Sequence, residues 1–457
     1  MVWAVVRACV QSVTQDEADT YFWFASKSAN YIFHPFPNNH VLNTLLIWIT
    51  TRVFGLSTFS LRMPALMGAA LYIFVCYFLC RRLRLQLPVF ICLVYNPFIF
   101  DFMVAARGYG LANAFLMAAI AVVVWNRSYA LASLALGLSF ASTFSFAFVD
   151  LAAFFALLTW AIRRRETESV VRIVGSCVLP GLLVALLLCG YPLTHWPKGE
   201  LYDSAHSLRE MIGSLVDASL YQLNPRFLEI ELYTLMDFLK PLLLPVLGAL
   251  CVCQLVLTRE RFAAALSGIV AFCVLLHWVA FRFDVFPLPM TRTAIFLIPL
   301  CTLAAGVIAA STARSRVSEW LGRGITGVFI CLACYFLLCL RLTYFKDYKD
   351  DADTKDVYAV LARLNHAYGV TDTAMDGLYV APLNFYRVLS KKETFPEFSY
   401  VWSQDFPTGK SIYVLHSGYY REFIEKERLS VVYRGKSTEA VVAVKPDGAI
   451  PAVMVEP

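Results

Sequence analysis

The chain has 457 residues, of which 59% are hydrophobic and only 16% charged, with a formal net charge of +6 and a mean hydropathy of +0.62. Soluble proteins usually carry about 25% charged residues. A water-soluble fold of this length cannot hide so much apolar side chain, so lipid must form part of the solvent. The charge is uneven. From Lys346 onward 14 Lys/Arg face 16 Asp/Glu, whereas before it 25 face 17. The basic residues sit in short clusters between apolar runs, which suits loops beside anionic lipid and argues against nucleic acid as a partner.

Apolar runs bounded by charge predict spanning helices at about 1–14 (short), 61–80, 88–105, 109–125, 129–146, 147–162, 170–190, 237–257, 262–281, 292–312 and 324–343. The chain is therefore expected to be a polytopic α-helical membrane protein with about ten or eleven transmembrane helices. The first run, Met1–Val13, contains Arg7 and is too short to span. Orientation follows from the clusters Arg81-Arg82-Leu83-Arg84, Arg127, Arg163-Arg164-Arg165, Arg259 with Arg261, and Arg314 with Arg316 and Arg323. Alternation puts all of these on the cytoplasmic side, as the positive-inside rule requires. The segment after the first helix and the C-terminal end then lie outside.

Three outer segments are long or polar. The first is 14–60, with interfacial helices expected in QDEADTYFWFASKSANYIF and in NNHVLNTLLIWITTRVFG. The second is 191–236, and the third is 282–292. From Lys346 the character changes. KDYKDDADTKD reads as a solvated charged linker or a helix start. DVYAVLARLNHAYGV has helical spacing, and SIYVLHS, RLSVVYR and EAVVAVK have the look of short strands. Two domains are expected: a membrane domain over 1–344 and a small soluble α/β domain over 345–457. The 13 cysteines all lie in apolar stretches, which fits small helix residues better than disulfides or zinc ligands.

Acidic residues beside a membrane are costly unless they face water or a partner. Asp16 and Glu17 follow directly on the first apolar run, where an ordinary polar helix flank is the bland reading. Asn38-Asn39-His40 and then Arg62 follow in the same outer segment, and Asp101 and Arg107 end the 88–105 run. His40 also fits a capping or interfacial role, and Asp101 a helix-end acid. His277 and Trp278 read as packing and interface anchors. A carboxylate can take the proton of an attacking hydroxyl or bind a divalent cation. An arginine can hold a phosphate and offset the charge on a phosphate leaving group. Together they suit transfer from a lipid-linked phosphate donor.

The strings DEADTYFWFAS, PFPNNHVLNTLL and FGLSTFSLRMPALMGAALYIFVCYFLCRR together resemble the N-terminal part of GT-C membrane glycosyltransferases. The closer likeness is to the bacterial branch of protein O-mannosyltransferases and aminoarabinose transferases. NPFIFDFMVAARGYGLANAF resembles that branch's next outer turn, and VFPLPMTRTAIFLIPL its late outer loop. The resemblance covers 14–126 well and 285–300 loosely. It implies a GT-C-like fold in a bacterial inner membrane, with an inverting transfer of a sugar from a polyprenyl-phosphate donor to a lipid, glycan or protein acceptor outside. Asp16 would be the catalytic base, or a ligand for a divalent cation such as Mg or Mn, with Glu17 supporting it. Arg62 and Arg107 would orient the first loop or engage the donor phosphate. Asn39, His40, Tyr109 and Arg292 are candidates for the donor cavity, and Asp101 is a second acid. A transporter or flippase and a non-catalytic scaffold are the alternative classes.

Overall fold

The computed structural model describes the chain except residues 126–127, 165–168, 198–203, 221–230, 392–394, 400–405, 447–449 and 452; the side chains of 164 and 231–239 are also outside the described set. Arg127 and Arg165 of the basic clusters therefore lie outside the described residues. In chain order the helices begin with α1 (Val2–Val10), α2 (Gln15–Thr20), α3 (Val41–Phe54), α4 (Thr58–Arg82), α5 (Leu87–Tyr95), α6 (Pro97–Phe102) and α7 (Tyr109–Val124). Next come α8 (Tyr129–Ser142), α9 (Ala147–Arg164), α10 (Val170–Thr194), α11 (Leu208–Ser219), α12 (Glu231–Thr258), α13 (Arg261–Arg282), α14 (Leu297–Ala310) and α15 (Arg316–Leu338). The C-terminal part holds α16 (Thr354–Tyr368), β1 (Thr373–Met375), α17 (Gly377–Ser390), β2 (Ile412–His416), α18 (Arg421–Lys426), β3 (Ser430–Arg434) and β4 (Ala440–Val444).

Among the described residues, six helices are long and apolar enough to cross a membrane: Thr58–Arg82, Phe144–Arg163, Val170–Thr194, Lys240–Thr258, Arg261–Arg282 and Arg316–Leu338. Four shorter apolar helices, α3, α7, α8 and α14, run for 14 or 16 residues. At about 1.5 Å per residue they fall short of the roughly 30 Å hydrocarbon slab. Among the described residues, six of the expected spans meet both length and composition as single helices, and the other apolar runs form shorter helices. An apolar run counted from sequence includes the turns at its ends, which is why it overstates the helix.

The largest departure is the expected span over 88–105. The chain instead breaks at Asn96, whose φ and ψ are −53° and 122°. Pro97 lacks an N–H and pushes the residue before it out of the helical region. The Asn96 side chain then caps α6, accepting from the backbone N–H of Phe98 and Ile99 at 3.0 and 3.2 Å. The expected run 129–146 ends at Ser142, because Thr143 is extended with φ −161° and ψ 133°. The run 324–343 starts earlier, at Arg316, where the Ser315 hydroxyl accepts from Ser318 N at 3.1 Å.

The chain forms two compact units. The first holds Ala29–Leu46 and Met63–Arg341 together with Met1. Within it α8 packs against α7 and α10, α13 against α9 and α14, and α15 against α5 and α12. The α8–α10 crossing is set by glycine. A Cβ on Gly137 would meet the Gly181 backbone, and one on Gly181 would meet the Ser133 carbonyl. Small residues let two backbones approach this closely in lipid. The Ser133 hydroxyl accepts from Gly181 N at 3.0 Å, one residue past Pro180 in α10.

The second unit holds Val2–Ser28, Ile47–Arg62 and Leu342–Pro457. Its sheet has the order β1-β2-β4-β3, with β1 parallel to β2 and the other pairs antiparallel. Every residue of β2 and β4 is buried, as central strands covered on both faces should be. Ala374, Tyr413, Leu415, Leu429, Val441 and Ala443 form one core cluster, against which Phe423 and Ile424 of α18 pack. The three strands expected from period-2 patterning are β2, β3 and β4, and the expected helix is α16. The elements the pattern did not mark are β1, α17 and the six-residue α18. The first has only three residues, and the second carries Pro382 within the helix.

Candidate active site around Asp16

α2 is short, and its N-terminus is held from both ends of its sequence. Thr14 sits in extended backbone, with φ −84° and ψ 160°, and its hydroxyl accepts from Glu17 N at 3.2 Å. The Glu17 carboxylate reaches back and accepts from Thr14 N at 2.9 Å. This capping box satisfies two backbone donors that a helix start leaves orphaned. It needs Thr and Glu three residues apart, as the sequence T-Q-D-E has them.

Glu17 also forms a buried ion pair with Arg62. Arg62 Nε donates to Glu17 Oε1 at 2.8 Å and Nη2 donates to Oε2 at 2.7 Å, with both side chains fully buried. Arg62 Nη1 donates to the carbonyls of Ala8 and Gln11 at 3.2 and 2.8 Å, and Nη2 to that of Ser12 at 2.6 Å. The guanidinium's donors are thus directed at protein acceptors.

Asp16, the preceding residue, stays half-buried. Its Oδ2 accepts from the Tyr348 hydroxyl at 2.8 Å. Next to it Gln15 N donates to Asp351 Oδ2 at 2.9 Å. Asp351 is buried, and desolvation pushes its carboxyl well above the usual carboxylate range, with Asp16, Glu17 and Asp350 adding like charge. Tyr386, whose oxygen accepts from Val13 N at 2.8 Å, is pushed by burial up to about 12.

The shift on Asp351 has a consequence for stability. A carboxyl whose folded pKa is raised holds a proton that the unfolded chain releases near pH 4. That contribution favours folding at low pH and is lost as the pH climbs through the raised value. Asp351→Asn keeps an oxygen for Gln15 N and removes the titration. The variant is expected to gain on the wild type in thermal unfolding as the pH rises above about 4. Unfolding of both full chains in detergent across a pH series checks this. A difference that stays flat or shrinks with pH refutes it.

The other candidates fall in the first unit, where the 38–44 segment docks on the turn after α6. Arg107 is fully buried, and its Nη2 donates to Asn38 Oδ1. Asn43 Nδ2 donates to Ala106 O at 3.1 Å. The His40 ring stands edge-on to Tyr109 with centroids 5.0 Å apart, and Tyr109 is likewise edge-on to Phe102 at 5.0 Å. Asn39 is a loop staple: its Nδ2 donates to the carbonyls of Ile32 and His34 at 3.0 and 2.9 Å, and its Oδ1 accepts from Thr44 at 2.9 Å. Asp101 is buried in α6, and Arg292 is half-buried in the 3-10 turn Thr291–Ala294. His277 is a packing residue, stacked on Phe296 and edge-on to Phe148.

Sequence reasoning missed Tyr348, Asp351 and Tyr386, which meet the N-terminal segment from more than 330 residues away. It also passed over Asp150, buried in the first turn of α9 beside Ser139, whose hydroxyl donates to Ala112 O at 3.2 Å. Among the described residues no group of three His, Cys, Asp or Glu side chains is arranged to hold a metal ion.

No family model matches the chain, and no curated protein matches it. Among solved structures it is similar to ArnT from Cupriavidus metallidurans in the apo state, with a TM-score of 0.49 and 11% identity over 100% of this chain and 97% of that one. It is similar also to the same protein bound to undecaprenyl phosphate, with a TM-score of 0.48 and 12% identity over 98% of this chain and 97% of that one.

Proposed function

We propose that the protein is an inverting glycosyltransferase that moves a sugar from a polyprenyl-phosphate donor to an acceptor hydroxyl on the extracytoplasmic side of a bacterial inner membrane. The observation that carries this reading is the state of Asp16. It is a half-buried carboxylate at the start of a capped helix, with its neighbour Glu17 locked to Arg62 and its own Oδ2 held by Tyr348. A base must be both accessible and oriented to act on a substrate proton, and Asp16 meets both conditions.

In this reading Asp16 takes the proton of the acceptor hydroxyl as the oxygen attacks the anomeric carbon. The bond from that carbon to the phosphate oxygen breaks on the opposite face, inverting the centre. The lipid phosphate leaves with the electron pair, and basic side chains offset its charge. The reading puts Asp16 and the C-terminal part on the outer side, the orientation expected from the positive-inside rule.

The test is incubation of membranes containing the full chain with a panel of radiolabelled polyprenyl-phosphate sugars, followed by separation of labelled lipid, glycan and protein. Label passing to one macromolecular class, dependent on the chain, is the expected result. Flux of a substrate with no label transferred would replace the reading by transport.

A further inference from the structure

The candidate base belongs to the N-terminal end of the chain, yet the residues that hold it come from the segment after α15. Residues 7–17 and 344–355 are joined by several hydrogen bonds. Arg7 Nη2 donates to Tyr344 O at 3.2 Å, Ser12 Oγ to Ala352 O at 2.6 Å, and Gln15 N to Asp351 Oδ2 at 2.9 Å. The Phe345 ring lies under the guanidinium groups of both Arg7 and Arg62, 5.1 and 5.2 Å from its centroid. Within this clamp Tyr348 leaves the 3-10 geometry of its neighbours, at φ −126° and ψ 37°, and its hydroxyl meets Asp16 Oδ2 at 2.8 Å. Tyr348 is only 8% exposed, so its ring is fixed by packing.

We propose that Tyr348 is a positioning residue for Asp16, so that the C-terminal part of the chain completes the site that the N-terminal part begins; this rests on the glycosyltransferase reading above. A carboxylate on a two-torsion side chain can present either oxygen in many directions. A phenol donating to one oxygen selects one rotamer of Asp16. The tethers on either side keep the phenol from following a displaced Asp16, so the orientation is imposed on the acid. An interaction of this kind acts on the proton-transfer step and leaves donor binding alone, so it belongs in kcat.

Tyr348→Phe keeps the ring and removes only the hydroxyl. In membranes containing the full chain, with the labelled donor identified by the panel, kcat is expected to fall about tenfold to a hundredfold, the scale of one hydrogen bond to a charged group. The donor KM should hardly change. An unchanged kcat overturns the proposal, as does a fall in total activity that tracks only the amount of folded chain, measured by thermal unfolding of the same preparation. Asp16→Asn run alongside separates the two levels. Transfer retained in Asp16→Asn removes the base role and the positioning role of Tyr348 together, whereas only a failure of the wild-type chain to transfer label from any donor of the panel removes the glycosyltransferase reading. An inactive Asp16→Asn with full kcat in Tyr348→Phe removes only the role of Tyr348.

Discussion

Glu17→Ala is expected to cost about 3–5 kcal/mol of folding stability, because it leaves a buried guanidinium without its counter-charge. The Arg62–Glu17 pair is completely shielded from solvent, with contacts of 2.8 and 2.7 Å. Moving two charges out of water is costly, and their mutual attraction offsets this only while both are present. The same substitution opens the capping box at Thr14, whose N–H loses the Glu17 Oε2 acceptor. Arg62→Ala should be comparably harmful, since it strands the carboxylate and the carbonyls of Ala8, Gln11 and Ser12 together. Thermal unfolding of each full-length variant in one detergent reads the effect. Replacing both partners at once, Glu17→Met with Arg62→Met, should recover part of the loss, because no buried charge then remains. Single variants that unfold within about 1 kcal/mol of the wild type would show that the pair is hydrated and contributes little.

Asp16→Asn is expected to lower sugar transfer by about 10²- to 10⁴-fold, the usual contribution of a positioned general base. The amide has the same shape and can still accept from Tyr348, so the fold should survive. Because Asp16 is half-buried and outside the Glu17–Arg62 pair, the stability of Asp16→Asn should stay near that of the wild type. The combination is informative: activity lost with unfolding unchanged assigns chemistry to Asp16. Transfer retained within about tenfold would instead make Asp16 a helix-flank acid.

The two acids were visible in the sequence because charge beside an apolar run is conspicuous. Their division of labour came only from the family resemblance, which gave Asp16 the base role and Glu17 a supporting one. Adjacent carboxylates look alike in sequence, and only the fold shows that one is enclosed with Arg62 while the other meets Tyr348. KDYKDDADTKD read as a solvated charged linker or a helix start; α16 does begin at Thr354, yet Tyr348, Asp351 and Asp353 are buried there. The acids in this stretch serve as acceptors for distant N–H groups. Asp353 Oδ2 takes Ser437 N, Thr438 N and the Thr438 hydroxyl at 2.9, 2.8 and 2.8 Å, and Asp351 takes Gln15 N. Local charge density is a sound guide to solvation only when no such partners exist. For the helices, Asn96-Pro97 was a readable stop that the apolar run over 88–105 overrode, and proline chemistry should have been given the greater weight.

The joining of residues 7–17 to 344–355 has a consequence for how the protein is made. Asp16 and Tyr348 are 332 positions apart. At ribosomal speeds of about 5–20 residues per second, roughly 15–65 s separate their synthesis. All six long apolar helices lie wholly or mostly between these two residues. The nascent acidic helix must therefore wait, its glutamate near its arginine but its flanking backbone donors unanswered, until the segment after α15 has emerged. Assembly of this region is a late event, and a message truncated before codon 344 yields an inserted protein whose Asp16 has no phenol to hold it.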